Sequence, residues 1–357
     1  MLRRTFLQTA GGAAAATASA APAARIKLGI DAYSIRDWRW RALDLLNYAG
    51  HLKLDIIQLS SLDNYESLDA AHLQKVREDA ERRGIEIEAG IGCICPTSSA
   101  WNPATGDAVQ YVLKGLSVAR AVGSKAMRCF LGSGADRRGK LPIEAHIEAT
   151  VKVLRAVRSQ ALDAGVKIAI ENHSDMQAWE LRTLIEEAGR DFVGCCLDLG
   201  NPMAVVENPM VTLETLAPYV VTTHFRDSVV YEHPRGAAFQ WVALGDGSLD
   251  LRVLVARFRE LCPEAAMQLE IITGRPPQVL PYFEEEFWKA FPKARAGEFA
   301  RFVALAKAGH PFMGAMVIAG PGRQTPEIQA ALKQQQRRDL ERSLEYARKA
   351  LGAGVRG

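Results

Sequence analysis

The chain has 357 residues, 48% hydrophobic and 24% charged, with a formal net charge of +3. That balance allows a large buried core and excludes global disorder, and without a basic stripe interleaved with aromatics it excludes nucleic acid as a partner. No apolar run reaches the roughly 18 residues that a membrane span requires.

In chain order, residues 1–24 come first. Arg3-Arg4-Thr5-Phe6-Leu7 precedes a soft Ala/Gly/Thr run and the small-residue sites Ala18-Ser19-Ala20 and Ala21-Pro22-Ala23. This resembles a twin-arginine export signal, which implies a periplasmic or secreted protein and keeps the segment out of fold reasoning. From Arg25 onward two textures alternate. Eight short Val/Ile/Leu-rich runs read as strands: 26–35, 56–60, 85–92, 126–132, 167–173, 193–200, 220–227 and 265–273. Nearly continuous apolar runs suit strands buried on both faces, hence parallel ones. Ala70–Arg83, Ala108–Val122, Ile143–Ala164 and Trp179–Ala188 carry apolar residues at helical spacing. Gly84, Gly123, Gly165 and Gly189 fall where a helix stops.

Eight such units predict a (β/α)8 TIM barrel over residues 25–310. A doubly wound sheet is the alternative, but Gly29-Ile30-Asp31-Ala32-Tyr33 is no glycine-rich phosphate turn. A helical C-terminal extension is expected over 311–357, its last helix running from the Thr325-Pro326 cap to Leu351, against the barrel base or another subunit. Six cysteines without zinc spacing read as small buried hydrophobes.

Chemistry in a barrel gathers at the C-terminal strand ends. There the runs are broken by Glu171, Asp198, His224 and Glu270, one from each of four consecutive strands. Three inward carboxylates need a counter-charge, because burying a bare carboxylate costs several kcal/mol. One divalent metal ion supplies it. An oxygen-rich set with one nitrogen favours Mn²⁺, with Co²⁺, Mg²⁺ or Zn²⁺ as alternatives.

The segments Ile170-Glu171-Asn172-His173, Leu197-Asp198-Leu199-Gly200-Asn201, His224-Phe225-Arg226-Asp227 and Gly245-Asp246-Gly247-Ser248-Leu249-Asp250 resemble the xylose-isomerase-like TIM-barrel superfamily, in particular its sugar (phosphate) isomerase/epimerase branch. The resemblance implies that Glu171, Asp198, His224 and Glu270 bind one metal, and that Glu171 and Glu270 also exchange protons with a sugar. Ketose 3-epimerases of that branch usually carry His three residues after the Asp; here the position is Asn201. Proton removal beside a carbonyl leads to isomerisation or epimerisation. The alternatives are β-elimination from a keto-glycoside and a non-catalytic sugar-binding barrel.

Further substrate contacts are expected from His173, Asn201, Arg226 and Arg235, and from Trp38, Trp101 and Trp241, which follow strands on the same face. The segment Val229–Leu244, with His233, Arg235 and Trp241, reads as a lid or specificity loop. Asp227 is expected to brace a barrel residue, and Asp250 to cap the next helix. No arginine cluster stands out along the chain, so an unphosphorylated sugar is the expected substrate. A homo-oligomer is compatible with the sequence.

Overall fold

The computed structural model describes residues 25–322 and 324–356; residues 1–24, where an export signal is expected, lie outside them. The apolar runs become β1 (Leu28–Asp31), β2 (Ile56–Leu59), β3 (Glu86–Cys93), β4 (Ala126–Phe130), β5 (Lys167–Glu171), β6 (Val193–Asp198) and β7 (Val220–His224). Each is parallel to the one before it. A hairpin of β8 (Asp227–His233) and β9 (Gly236–Val242) then interrupts the series before β10 (Met267–Leu269) pairs back onto β1. The barrel closes through Phe225, just past β7, which bridges Leu269 and donates its N–H to Gln268 O at 2.7 Å. Closure excludes the open doubly wound sheet.

The outer ring contains α1 (Ala42–His51), α2 (Ala70–Arg83), α3 (Ala108–Ala121), α4 (Ile143–Ala156), α5 (Arg158–Ala164), α6 (Ala178–Ala188), α7 (Pro209–Leu216) and α8 (Leu251–Leu261). The single helix expected over 143–164 is split at Val157, which sits at φ −109°, ψ 8°. Asp250 caps α8 as expected, accepting from Val253 N.

Between β10 and the end of the chain lie β11 (Gln278–Leu280), α9 (Glu285–Trp288), α10 (Ala296–Ala308) and α11 (Pro326–Leu351). Thr325 caps α11 by accepting from Ile328 N, with Pro326 in the first turn. The C-terminal helix is therefore present with the expected bounds, but it packs within the helical ring rather than on the barrel base. On one side Tyr48 of α1 donates to Glu341 Oε1 at 3.0 Å, and Arg348 donates to Leu52 O at 2.6 Å. On the other, Arg259 of α8 donates to Leu351 O at 2.7 Å. Its stripe of Leu340, Leu344, Ala347 and Leu351 enters the main core. Thus α11 fills the gap between α8 and α1 as the last helix of the ring.

The expected lid over Val229–Leu244 is instead the β8–β9 hairpin, extended by β11 into a three-stranded antiparallel sheet. Val229, Val230 and Tyr231 on one side of Pro234-Arg235 and Phe239, Trp241 and Val242 on the other give both runs strand-forming side chains, which is the physical reason. Val230 and Phe239 pack with Met203 and with Phe302 of α10 in a second core, so the segment is a braced wall.

Candidate metal centre and substrate cavity

The ends of β5, β6, β7 and β10 bring Glu171, Asp198, His224 and Glu270 together. All four are buried, and one ligand atom from each lies within 4.8 Å of the others. His224 Nδ1 stands 3.5 Å from Glu171 Oε1 and 3.6 Å from both Asp198 Oδ2 and Glu270 Oε2. Its other nitrogen faces away, with Nε2 2.6 Å from Gln58 Oε1 and 3.1 Å from Asp31 Oδ2. This is how a metal-binding imidazole is held: one nitrogen committed to outer partners, the other aimed at the ligand point.

Asp198 Oδ2, His224 Nδ1 and Glu270 Oε2 are buried without any hydrogen-bond partner. Orphaned buried polar atoms are costly, and three converging on one point fit a cation. Neighbours have fixed their orientation. Asp198 Oδ1 accepts from Gly200 N and Asn201 N at 2.6 and 2.7 Å. Asn172 both donates to Asp198 O and accepts from Asp198 N. Asn201 Nδ2 donates to Glu171 Oε1 at 3.1 Å.

Two arginines enter the same centre. Arg226 Nη2 lies 2.9 Å from Asp198 Oδ2, an ion pair without hydrogen-bond geometry, and against Glu270. Its stem crosses Gly200, where a Cβ would sit 2.4 Å from Arg226 Cδ; only glycine leaves that path open. Arg128, in the middle of β4, donates through Nε to Glu171 Oε2 at 2.6 Å. Burial alone would raise the Glu171 carboxyl, but the charge of Arg128 and then of His224 holds it well below the usual range. Burial likewise opposes protonation of His224, yet its anionic surroundings hold its pKa well above the ordinary value.

Above the centre opens a cavity of about 710 Å³ lined by residues including Tyr33, Tyr111, Phe130, His173, Asn201, Arg226, Trp241 and Glu270. His173 stacks on Phe130 with centroids 4.3 Å apart. Its Nδ1 donates to the carbonyl of Gly132 at 2.8 Å, which leaves Nε2 free to meet a ligand. Trp241 donates to Gly200 O and lies over the Arg226 guanidinium.

Other expected contacts do not reach this cavity. Trp38 turns outward, donates to Lys333 O of α11, and tilts onto Trp40. Trp101 packs edge-on to Tyr111 behind the wall. Arg235, at the hairpin tip, pairs with Glu284. A position shortly after a strand fixes neither a side chain's direction nor its partner. Asp227 does not brace a ligand; it accepts from Ser228, Gly245 and Gly247 N–H and pins the hairpin base. The six cysteines are free and buried, as expected.

Sequence reading passed over Asp31, Gln58, Arg128, Cys196 and Arg275. The first three are polar interruptions within apolar runs of β1, β2 and β4, and an inward polar side chain in such a run was the available signal. Cys196 belongs to a second close group with Glu171 and His224; burial pushes its thiol up to about 11. Arg275 lies past β10 and lines the mouth.

A closed (β/α)8 barrel with three carboxylates and one imidazole gathered at its C-terminal rim defines the class. The chain belongs to the xylose isomerase-like TIM barrel family, whose model matches residues 46–285. It is 24% identical over 216 residues to the Escherichia coli protein YihM, covering 59% of this chain and 60% of that one. It is 23% identical over 201 residues to a 3-oxo-isoapionate decarboxylase of Pectobacterium atrosepticum, covering 56% of this chain and 66% of the relative. The matches thus span less than two thirds of either relative's length. Among solved structures it resembles a D-psicose 3-epimerase with a TM-score of 0.60 at 16% identity, covering 92% of this chain and all of that one.

Proposed function

We propose that Glu171, Asp198, His224 and Glu270 hold one divalent cation, and that the protein is an isomerase or epimerase acting on the carbonyl end of a sugar. The observation that carries this reading is the convergence of one ligand atom from each of these four buried residues within 4.8 Å of one another. A bound divalent ion would polarise the carbonyl and neutralise the charge of an enediolate. Mn²⁺ fits the donor set first. Of the two glutamates, Glu270 lines the cavity, so it is the group placed to take a proton from substrate carbon. Glu171, kept ionised by Arg128, is the deeper carboxylate and serves first as a ligand. His173 and Asn201 offer hydrogen bonds to substrate hydroxyls, and Trp241 offers an apolar wall. The family neighbour named as a 3-epimerase supports an epimerase outcome. The relative named as a decarboxylase supports a lyase at the same centre as the second reading. Export through residues 1–24 belongs to the same proposal and favours a substrate without phosphate.

The test is to incubate Mn²⁺-loaded protein with a panel of keto and aldo sugars in deuterated water. A substrate should gain carbon-bound deuterium with its carbon skeleton unchanged, whereas a lyase yields fragments. Glu270→Gln should abolish the exchange; undiminished exchange in that variant sinks the assignment.

A further inference from the structure

The mouth of the cavity carries positive charge that the centre does not consume. Deep in the barrel, Arg128 stands against Glu171, and Arg226 against Asp198 and Glu270. Asp31 faces His224. With one divalent ion added, these four carboxylates are balanced by the ion and the two buried guanidiniums. Two arginines are left over. Arg275, exposed on the segment after β10, lines the outer cavity. Arg36 lies behind the lining residue Tyr33, 4.7 Å from its ring centroid, and donates to Tyr33 O. Among the described residues neither forms an ion pair with a carboxylate. The neighbouring Asp37 accepts from the Gln336 amide of α11 and attracts Arg36 without closing an ion pair with it. Burial pushes the Arg36 pKa down against the attraction of Tyr33 and Asp37, and Arg275 and Arg226 add a smaller like-charge repulsion. Like charges gathered at a water-accessible mouth raise the local concentration of anions there.

We propose that the substrate of this site is a sugar acid, whose carboxylate Arg275 binds at the cavity mouth with Arg36 adding to the positive field behind Tyr33. The sugar part of this statement rests on the proton-transfer reading above; the charge part rests on the arginines alone. A planar two-oxygen anion matches the guanidinium fork. A phosphate fits less well. Barrel phosphate sites use the loops after the seventh and eighth barrel strands together with a helix N-terminus. Here the loop after the eighth barrel strand does bring Arg275 to the cavity, but α8 opens behind the Asp250 carboxylate, so no free helix N-terminus joins it.

The probes are aldonates and the alditols of equal chain length (threonate and threitol, xylonate and xylitol, gluconate and glucitol), with glucitol 6-phosphate as the phosphate arm. Each is titrated calorimetrically into the full Mn²⁺-loaded chain at low ionic strength. In the best pair the aldonate should bind at least about tenfold more tightly than its alditol, the scale of one charge-assisted hydrogen bond. In Arg275→Gln the ratio should fall to within about threefold, and about 0.5 M salt should shrink it in the wild type. Arg275 is exposed, so the variant is expected to melt like the wild type, which a thermal scan checks. Equal affinities in every pair overturn the proposal. So does a preference that survives Arg275→Gln unchanged, which would place the carboxylate on the ion, and so does tightest binding of the phosphate ester. Binding is read without turnover. Absence of deuterium exchange would therefore sink the proton-transfer reading while the charge preference stood, and the converse would sink only the sugar acid.

Discussion

Arg226 occupies a contested position. Its guanidinium pairs with Asp198 and Glu270 at the point on which the orphaned ligand atoms converge, so it supplies the counter-charge that a metal ion would otherwise provide. Two unit charges 4 Å apart interact by about 4 kcal/mol at an effective dielectric of about 20, enough for one cation to compete with another. Arg226→Met should therefore tighten Mn²⁺ binding by about tenfold or more. The same change should lower the melting temperature in chelator, where Asp198 and Glu270 lose their nearby cation. Calorimetry with Mn²⁺ and paired melts check both; weaker metal binding in the variant would show that Arg226 supports the ion rather than opposing it. Arg226 was legible as a same-face neighbour of His224, two residues along the chain. Arg128 was not, because attention to strand ends passes over a charge at the third position of a five-residue strand. Its meaning appears only with Glu171 opposite it, 43 residues away.

At the scale of elements, the period of the apolar pattern was a better guide than any single residue. All eight barrel strands and the ends of α2 and α11 follow it. Failures came where direction or long-range pairing decides: the tryptophans after β1 and β3 point outward, and the Val229–Leu244 segment found a third strand 40 residues later. The start of α6 shows another contact of this kind. Glu207 accepts from Ala178 N, at the first residue of that helix, and from Thr212 Oγ1. Burial lifts its carboxyl to about 8 despite these donors. A folded pKa above the unfolded one means that folding takes up a proton. The resulting stability is complete below about pH 4.3, declines above it, and is gone once pH has risen through about 8. Between pH 6 and 8 the loss from this group is on the order of 3 kcal/mol at most. Glu207→Gln, which keeps the shape and removes the titration, should flatten the fall in melting temperature across that range. Parallel wild-type and variant curves would show that Glu207 is ionised in the fold.

For the whole molecule, the question is whether a barrel closed at β10 is stable before its last helix arrives. The chain leaves β10 at Leu269 and returns as α11 only at Pro326, so the final helix joins the ring through a long excursion that also builds the hairpin's own core. Without α11 the flanks of α1 and α8 are bare, and Leu340, Leu344, Ala347 and Leu351 no longer fill the main core. The tail beyond it is tied down as well: Gly354 N–H donates to Ile26 O, and Val355 and Arg356 N–H donate to Asp55, whose carboxylate also accepts from Leu28 N at the start of β1. One buried carboxylate thus joins the last residues of the chain to the first strand. Leu344 is 1% exposed in the centre of this seam. Leu344→Ala should cost about 2–5 kcal/mol through lost transfer energy and the cavity left behind, read as a shifted denaturant midpoint with an unchanged slope. A chain ending before residue 326 should do worse and lose the cooperative transition, because a whole face of the ring faces water. If the shortened chain still melts sharply and binds Mn²⁺ like the intact protein, α11 is an appendage and the ring is complete without it.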